Sequence, residues 1–112
     1  MVHDQRHEDR YDIQVVASLR SGTGTARSIS LTNLSRNGCR FVADRTMRFG
    51  MRITITAGRS EPLTARILWR FGRMHGVRFD KALPEEIFDH IRLFLSERPA
   101  LVAERQAGII AG

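Results

Sequence analysis

Residues 51–71, MRITITAGRSEPLTARILWRF, decide the fold class. Met51, Ile53, Ile55 and Ala57 alternate with Arg52, Thr54 and Thr56, the two-residue period of a strand with one buried face. Gly58-Arg59-Ser60 supplies a turn, after which Leu63, Ala65, Ile67, Trp69 and Phe71 share one face of a second strand. Half-buried strands joined by so short a connection pair antiparallel. In this register Trp69 packs into the core beside Ile67 and Phe71.

The same grammar extends in both directions. From Tyr11 onward Ile13, Val15, Ala17 and Leu19 alternate with Gln14, Ser18 and Arg20, Val16 being the exception. Ser21 to Thr25 (SGTGT) is the next turn, and Ile29 and Leu31 lie opposite Ser28, Ser30 and Thr32 on a second strand. That strand runs into the turn-forming stretch Asn33 to Gly38, Cys39 and Phe41 begin a third, and Arg45 to Gly50 is a longer loop. Gly72 breaks the strand that ends at Phe71, and Gly76 to Phe79 makes a short last one. Six short strands with tight turns predict an all-β fold, an antiparallel barrel whose closure protects the sheet edges, with most aromatics on inward faces.

The period changes after Pro84. Glu85 and Glu86 suit the positive end of a helix dipole, and Ile87, Phe88, Ile91, Phe94 and Leu95 recur at three- and four-residue steps. A helix is predicted there, covering one open end of the barrel; Leu83 is a poor N-cap, which puts the start nearer Asp80. The polar opening MVHDQRHEDR reads as a mobile arm over residues 1–11, the barrel and helix occupy 12–98, and 99–112 form a short tail.

Composition narrows the function classes. The chain has 112 residues, 27% charged and 42% hydrophobic, which suits one small globular domain. No apolar run reaches the roughly 18 residues of a membrane span and no signal peptide opens the sequence, so a cytoplasmic protein without a membrane partner is expected. A single cysteine, Cys39, excludes an internal disulfide and an all-cysteine zinc site. Lys plus Arg number 18 against 12 acidic residues, a net charge of +6, and Lys81 is the only lysine. Arginine forks suit phosphates and purine edges, so an anionic partner is in view.

Catalysis is not expected. His3, His7, His75 and His90 are scattered, and no serine or cysteine stands in a nucleophile turn with a base. His3 and His7 lack a third ligand, so no metal is expected, and Cys39 reads as a small buried thiol. Two other groupings carry more. Arg6-His7-Glu8-Asp9-Arg10 spaces two guanidiniums four apart just before the first strand, and Asn33, Ser35 and Gly38 follow the pattern Asn-x-Ser-x-x-Gly. Gly38 would permit a positive φ at a sharp turn, while Asn33 and Ser35 would point the same way. If the arm folds over this strand end, two forks and two acceptors meet on one spot, a set that suits a guanine nucleotide: arginine for O6/N7 or phosphate, Asn and Ser oxygens for base N–H groups.

Arg-x-x-x-Arg followed by Asn-x-Ser-x-x-Gly resembles the PilZ family of cyclic di-GMP receptors. Gln5 before the first arginine, Tyr11 after the second, Ile67-Leu68-Trp69, Gly76-Val77-Arg78-Phe79-Asp80 and the helix that follows extend the likeness over about Gln5 to Leu95. The resemblance implies a six-stranded barrel that binds cyclic di-GMP and uses no other cofactor. Arg6 and Arg10 would stack on guanine and grip phosphate, Asn33 and Ser35 would contact a guanine edge, and Gly38 would form the turn. Trp69 falls where some members place an aromatic beside the ligand, although its register reads as packing, and Arg36 inside the second motif borders the same region. Asparagine in place of aspartate at position 33 removes an anionic acceptor, which lowers affinity. The arm would be the switch, ordered only when the ligand is bound, and a downstream protein partner would receive the signal. Two other readings stand beside it. One is a small basic barrel for single-stranded nucleic acid, which predicts exposed aromatics among arginines; the inward aromatics argue against it. The other is a degenerate adaptor acting through protein contacts alone.

Overall fold

The computed structural model describes residues 9–96. Six strands follow in order: β1 (Tyr11–Arg20), β2 (Arg27–Leu34), β3 (Gly38–Val42), β4 (Arg52–Thr56), β5 (Leu63–Phe71) and β6 (Met74–Phe79). Their order around the sheet is β1-β2-β3-β6-β5-β4, and β4 returns to β1 through Ser18↔Thr56, Leu19↔Ile55 and Arg20↔Thr54. Every pairing is antiparallel. The predicted all-β barrel is therefore the fold, closed on itself.

The alternation that predicted the strands also fills the barrel. Ile13, Val15, Ala17 and Leu19 from β1, Ile29 and Leu31 from β2, Cys39 and Phe41 from β3, Ile53 and Ile55 from β4, Ala65 and Ile67 from β5, and Val77 and Phe79 from β6 form one buried cluster. Burial pushes the Cys39 thiol up to about 12, against a smaller opposing pull from the Arg10 charge, so it is an inert part of the core. His75 is the polar member of this interior. It stacks on Phe41 with ring centroids 4.9 Å apart, and its Nε2 accepts the Met47 N–H at 2.9 Å. That bond fixes the loop between β3 and β4 against the barrel end.

Three irregularities bend the ladder: between Asp12 and Val15 on β1, between Leu31 and Asn33 on β2, and between Ile67 and Trp69 on β5. The last one overturns the predicted register. Ile67 pairs with Val77 but Trp69 pairs with Gly76, so one extra residue sits on β5 and reverses the faces beyond it. Trp69 is 41% exposed and Phe71 80%, on the outer wall and not in the core. With Phe49 and Phe94 also exposed, the expectation of mostly inward aromatics is not met.

The helix is shorter and more irregular than its apolar stripe predicts. α1 spans Glu85–Asp89 with the non-helical Pro84 before it, so it does not begin near Asp80, and a π-helical turn continues over His90–Leu95. Phe88 and Ile91 are buried as predicted, whereas Phe94 points into water. The wider π turn fits more residues into each turn, so each residue advances less around the axis and Phe94 falls off the stripe. The helix is held to β1 by Tyr11 packed edge-on to Phe88 at 5.7 Å and by Ser96 Oγ, which accepts the Gln14 N–H at 3.0 Å.

Candidate functional site

β1 begins at Tyr11, so Arg10 stands at the threshold of the barrel. Its Nε donates to Asn33 Oδ1 at 3.0 Å, joining two motifs that lie 23 residues apart in the chain. The ladder shows why they meet: Tyr11 pairs with Leu34 and Asp12 with Asn33. Asn33 pairs in turn with Arg40, Arg40 with Gly76, and Gly76 with Trp69. One lateral row across β2, β3, β6 and β5 thus runs Asn33, Arg40, Gly76, Trp69.

Beside this row lies a cleft of about 310 Å³, bordered by Arg10, Asn37, Gly38, Arg40, Trp69 and Arg78 among others. Among the described residues three guanidiniums border it and no carboxylate does, a lining that suits an anion. The Arg40 guanidinium carbon lies 5.9 Å from the Trp69 ring centroid. Its Nε is buried without a hydrogen-bond partner among the described residues. A buried donor without an acceptor is costly, and a ligand acceptor would relieve it.

The turn after β2 is built differently from its expected use. Ser35 is fully buried, and its hydroxyl accepts the N–H groups of Asn37 and Gly38, each at 3.2 Å. The Ser35 N–H donates to the Gly38 carbonyl at 2.9 Å. The oxygen expected to meet a base edge is thus engaged in closing the turn. Asn33, 7% exposed, has its carbonyl oxygen on Arg10.

Gly38 also has a role other than the one predicted. Among the described residues the glycines with positive φ are Gly22, Gly50, Gly58 and Gly72, and Gly38 is not one of them. A Cβ at Gly38 would instead overlap the Val77 carbonyl oxygen of the neighbouring strand. Glycine is required there for the close approach of β6. Gly76 serves similarly: a Cβ would collide with the Trp69 indole, which lies over it. A strand glycine covered by a cross-strand aromatic keeps the ring flat against the wall.

Arg36 is directed away from the cleft. Its Nε donates to the Leu83 carbonyl at 2.8 Å and its own carbonyl accepts the Leu83 N–H at 2.7 Å, which pins the turn to the segment before α1. It lines a second depression of about 710 Å³, which shares Asn37 and Arg78 with the first and is bordered by Asp9, Glu85, Asp89 and Arg92. Mixed charge makes this the less suitable of the two for an anion. Arg6, with Gln5, His3, His7 and the 99–112 tail, lies outside the described residues.

Arg40, Gly76 and Arg78 were not expected as site residues from the sequence, although Gly76 and Arg78 belong to the closing-strand stretch that carries the resemblance. The available signal was the outward position of Arg40 between the inward Cys39 and Phe41, adjoining the second motif.

Comparisons agree with this architecture. The family model of the PilZ domain matches residues 4–97. Among solved structures, the PilZ domain of YcgR from Escherichia coli with c-di-GMP is 16% identical, with a TM-score of 0.64 over 96% of this chain and 97% of that one. YcgR from Escherichia coli in complex with c-di-GMP is 18% identical with a TM-score of 0.57, and there 96% of this chain spans 49% of the larger one. At such identities the likeness is one of fold. No curated protein matches the chain.

Proposed function

The chain belongs to the PilZ domain family, and from that premise we propose that it is a non-enzymatic receptor for cyclic di-GMP. The observation that carries the proposal is the Arg10–Asn33 bond at the edge of a cleft that, among the described residues, has three guanidiniums and no carboxylate. In this reading Arg10 is already aimed by Asn33, and Arg6 adds a second fork from the preceding segment. Guanine and phosphate are held by charge-assisted bonds, with Arg40 and Arg78 completing the positive wall. Trp69, flat on Gly76 beside Arg40, offers a face on which a base stacks. Ser35 and Gly38 act by shaping the turn that presents Asn33. Reading out the ligand is assigned to the arm: fixing each residue before Arg10 costs roughly 1–2 kcal/mol, so only a ligand making several strong contacts keeps it in place.

Titration calorimetry of the full chain with cyclic di-GMP, with GTP and cyclic AMP as controls, tests this. Arg6→Ala and Arg10→Ala are each expected to weaken binding by about 1.5–3 kcal/mol, roughly ten- to a hundredfold. Binding unchanged in both variants refutes the assignment. A protein indifferent to the dinucleotide that binds an oligonucleotide with steep salt dependence would instead be a single-strand nucleic-acid barrel, with Trp69 as its stacking platform.

A further inference from the structure

Two phenylalanines stand in water at neighbouring turns of the barrel. Phe49, 70% exposed, precedes Gly50 in the loop between β3 and β4, and Phe71, 80% exposed, precedes Gly72 at the β5–β6 turn. Gly50 and Gly72 both adopt positive φ, at 82° and 63°, so the chain reverses just after each aromatic. The two segments are bound to one another. Arg70 Nη1 donates to the Met47 carbonyl at 3.0 Å, Thr46 Oγ1 to the Gly72 carbonyl at 2.7 Å, and the Ala43 N–H to the Arg73 carbonyl at 3.0 Å. Met74, the ladder partner of Phe71, is exposed as well.

The charge around these residues is predominantly positive. Arg45, Arg48 and Arg73 are exposed on the same two segments. The acid among them, Asp44, is paired with Arg27 at 3.2 Å and more loosely with Arg45 at 4.0 Å, and Arg48 and Arg73 have no such acid beside them among the described residues. Neither phenylalanine borders the anion cleft, so this surface stands independently of the proposed ligand site.

We propose that this surface docks on an anionic lipid bilayer, with Phe49 and Phe71 entering the boundary between headgroups and acyl chains and Arg45, Arg48 and Arg73 lying against lipid phosphates. Aromatic side chains that project from turns fit a bilayer because it accepts each apolar group without a matching cavity, whereas a protein partner must supply a complementary pocket for each. Arginine forks match phosphate oxygens, and basic residues gather at a negative lipid surface. Contact would be peripheral, as no described helix is long and apolar enough to cross a membrane. The sequence, read for spans and targeting segments, gave no sign of such a contact, because it emerges only when two turns are brought side by side.

Co-sedimentation of the full chain with vesicles tests the proposal, using phosphatidylcholine alone and phosphatidylcholine with about a quarter phosphatidylglycerol. Partitioning onto the anionic vesicles is expected to exceed that onto neutral ones by about tenfold or more, with the Phe49→Ser/Phe71→Ser pair losing about tenfold. Arg48→Ser/Arg73→Ser is expected to abolish the preference for the anionic vesicles. Thermal melts matching wild type would show that the variants remain folded. No sedimentation with anionic vesicles, or sedimentation undiminished in the folded phenylalanine double variant, overturns the proposal.

Discussion

Replacing Gly38 by alanine separates two accounts of the Asn-x-Ser-x-x-Gly turn. An added Cβ would overlap the Val77 carbonyl oxygen, with Val77 C at 3.2 Å and Arg78 Cα at 3.3 Å. All three obstacles are backbone atoms, so no rotamer change relieves them and β6 must draw away from β3 at the Gly38↔Arg78 pair. Overpacking of this kind costs about 1–3 kcal/mol, and one weakened ladder hydrogen bond about 0.5–1.5 kcal/mol. Alanine recovers roughly 0.5–1 kcal/mol over glycine within a strand, leaving a net loss of about 2 kcal/mol. For a domain of this size that lowers Tm by about 8–16 °C. Urea unfolding followed by circular dichroism measures it, with Gly38→Asn as the discriminating companion. A turn that needed positive φ would tolerate asparagine better than alanine, whereas a close approach penalises the larger side chain at least as heavily. A Gly38→Ala loss below about 0.5 kcal/mol, or an asparagine variant more stable than the alanine one, would refute the close-approach account.

Two further outcomes follow from the same geometry. In Gly76→Ala the new methyl occupies the place of the Trp69 indole, so the ring must swing outward; because Trp69 is the sole tryptophan, a red shift in its emission reports the change directly. Cyclic di-GMP affinity should fall about tenfold if the ring stacks on the ligand, and unchanged emission would contradict the packing described. For His75, burial and, to a smaller degree, the Arg70 charge lower the pKa below its ordinary 6.5, outweighing the opposing pull of the Arg73 backbone carbonyl, which favours the charged ring. The unfolded chain therefore takes up this proton first as the medium is acidified, so the contribution of His75 is complete above pH 6.5 and declines as the pH falls toward the folded-state value. Melting temperatures taken from about pH 7.5 down to about pH 5 should decrease, and His75→Gln should flatten that slope even while lowering overall stability. A wild-type slope equal to that of the variant would remove His75 from the account.

Much of the candidate site was legible before the fold was known. Arg10 and Asn33 stand in recognisable motifs, and the strand pattern places both near one sheet end, where the structure finds them bonded at 3.0 Å. What each residue does there was less legible. The Ser35 hydroxyl closes its own turn, Arg36 anchors the segment before α1, and Arg40 enters the cleft from a position that side-chain alternation marks only as outward. Such assignments depend on which backbone groups lie nearby in space, and spacing along the chain carries no measure of that.

Alternating apolar residues determined the six strands and the barrel interior, because inside–outside periodicity is a local property that each strand carries in its own residues. The tertiary structure alone decided where that periodicity breaks. One extra residue on β5 turns Trp69 from the predicted core to the outer wall, and β6 approaches Gly38 so closely that no side chain fits. Both are relations between strands distant in sequence, fixed only when the ladders close into a barrel and each backbone meets its neighbour.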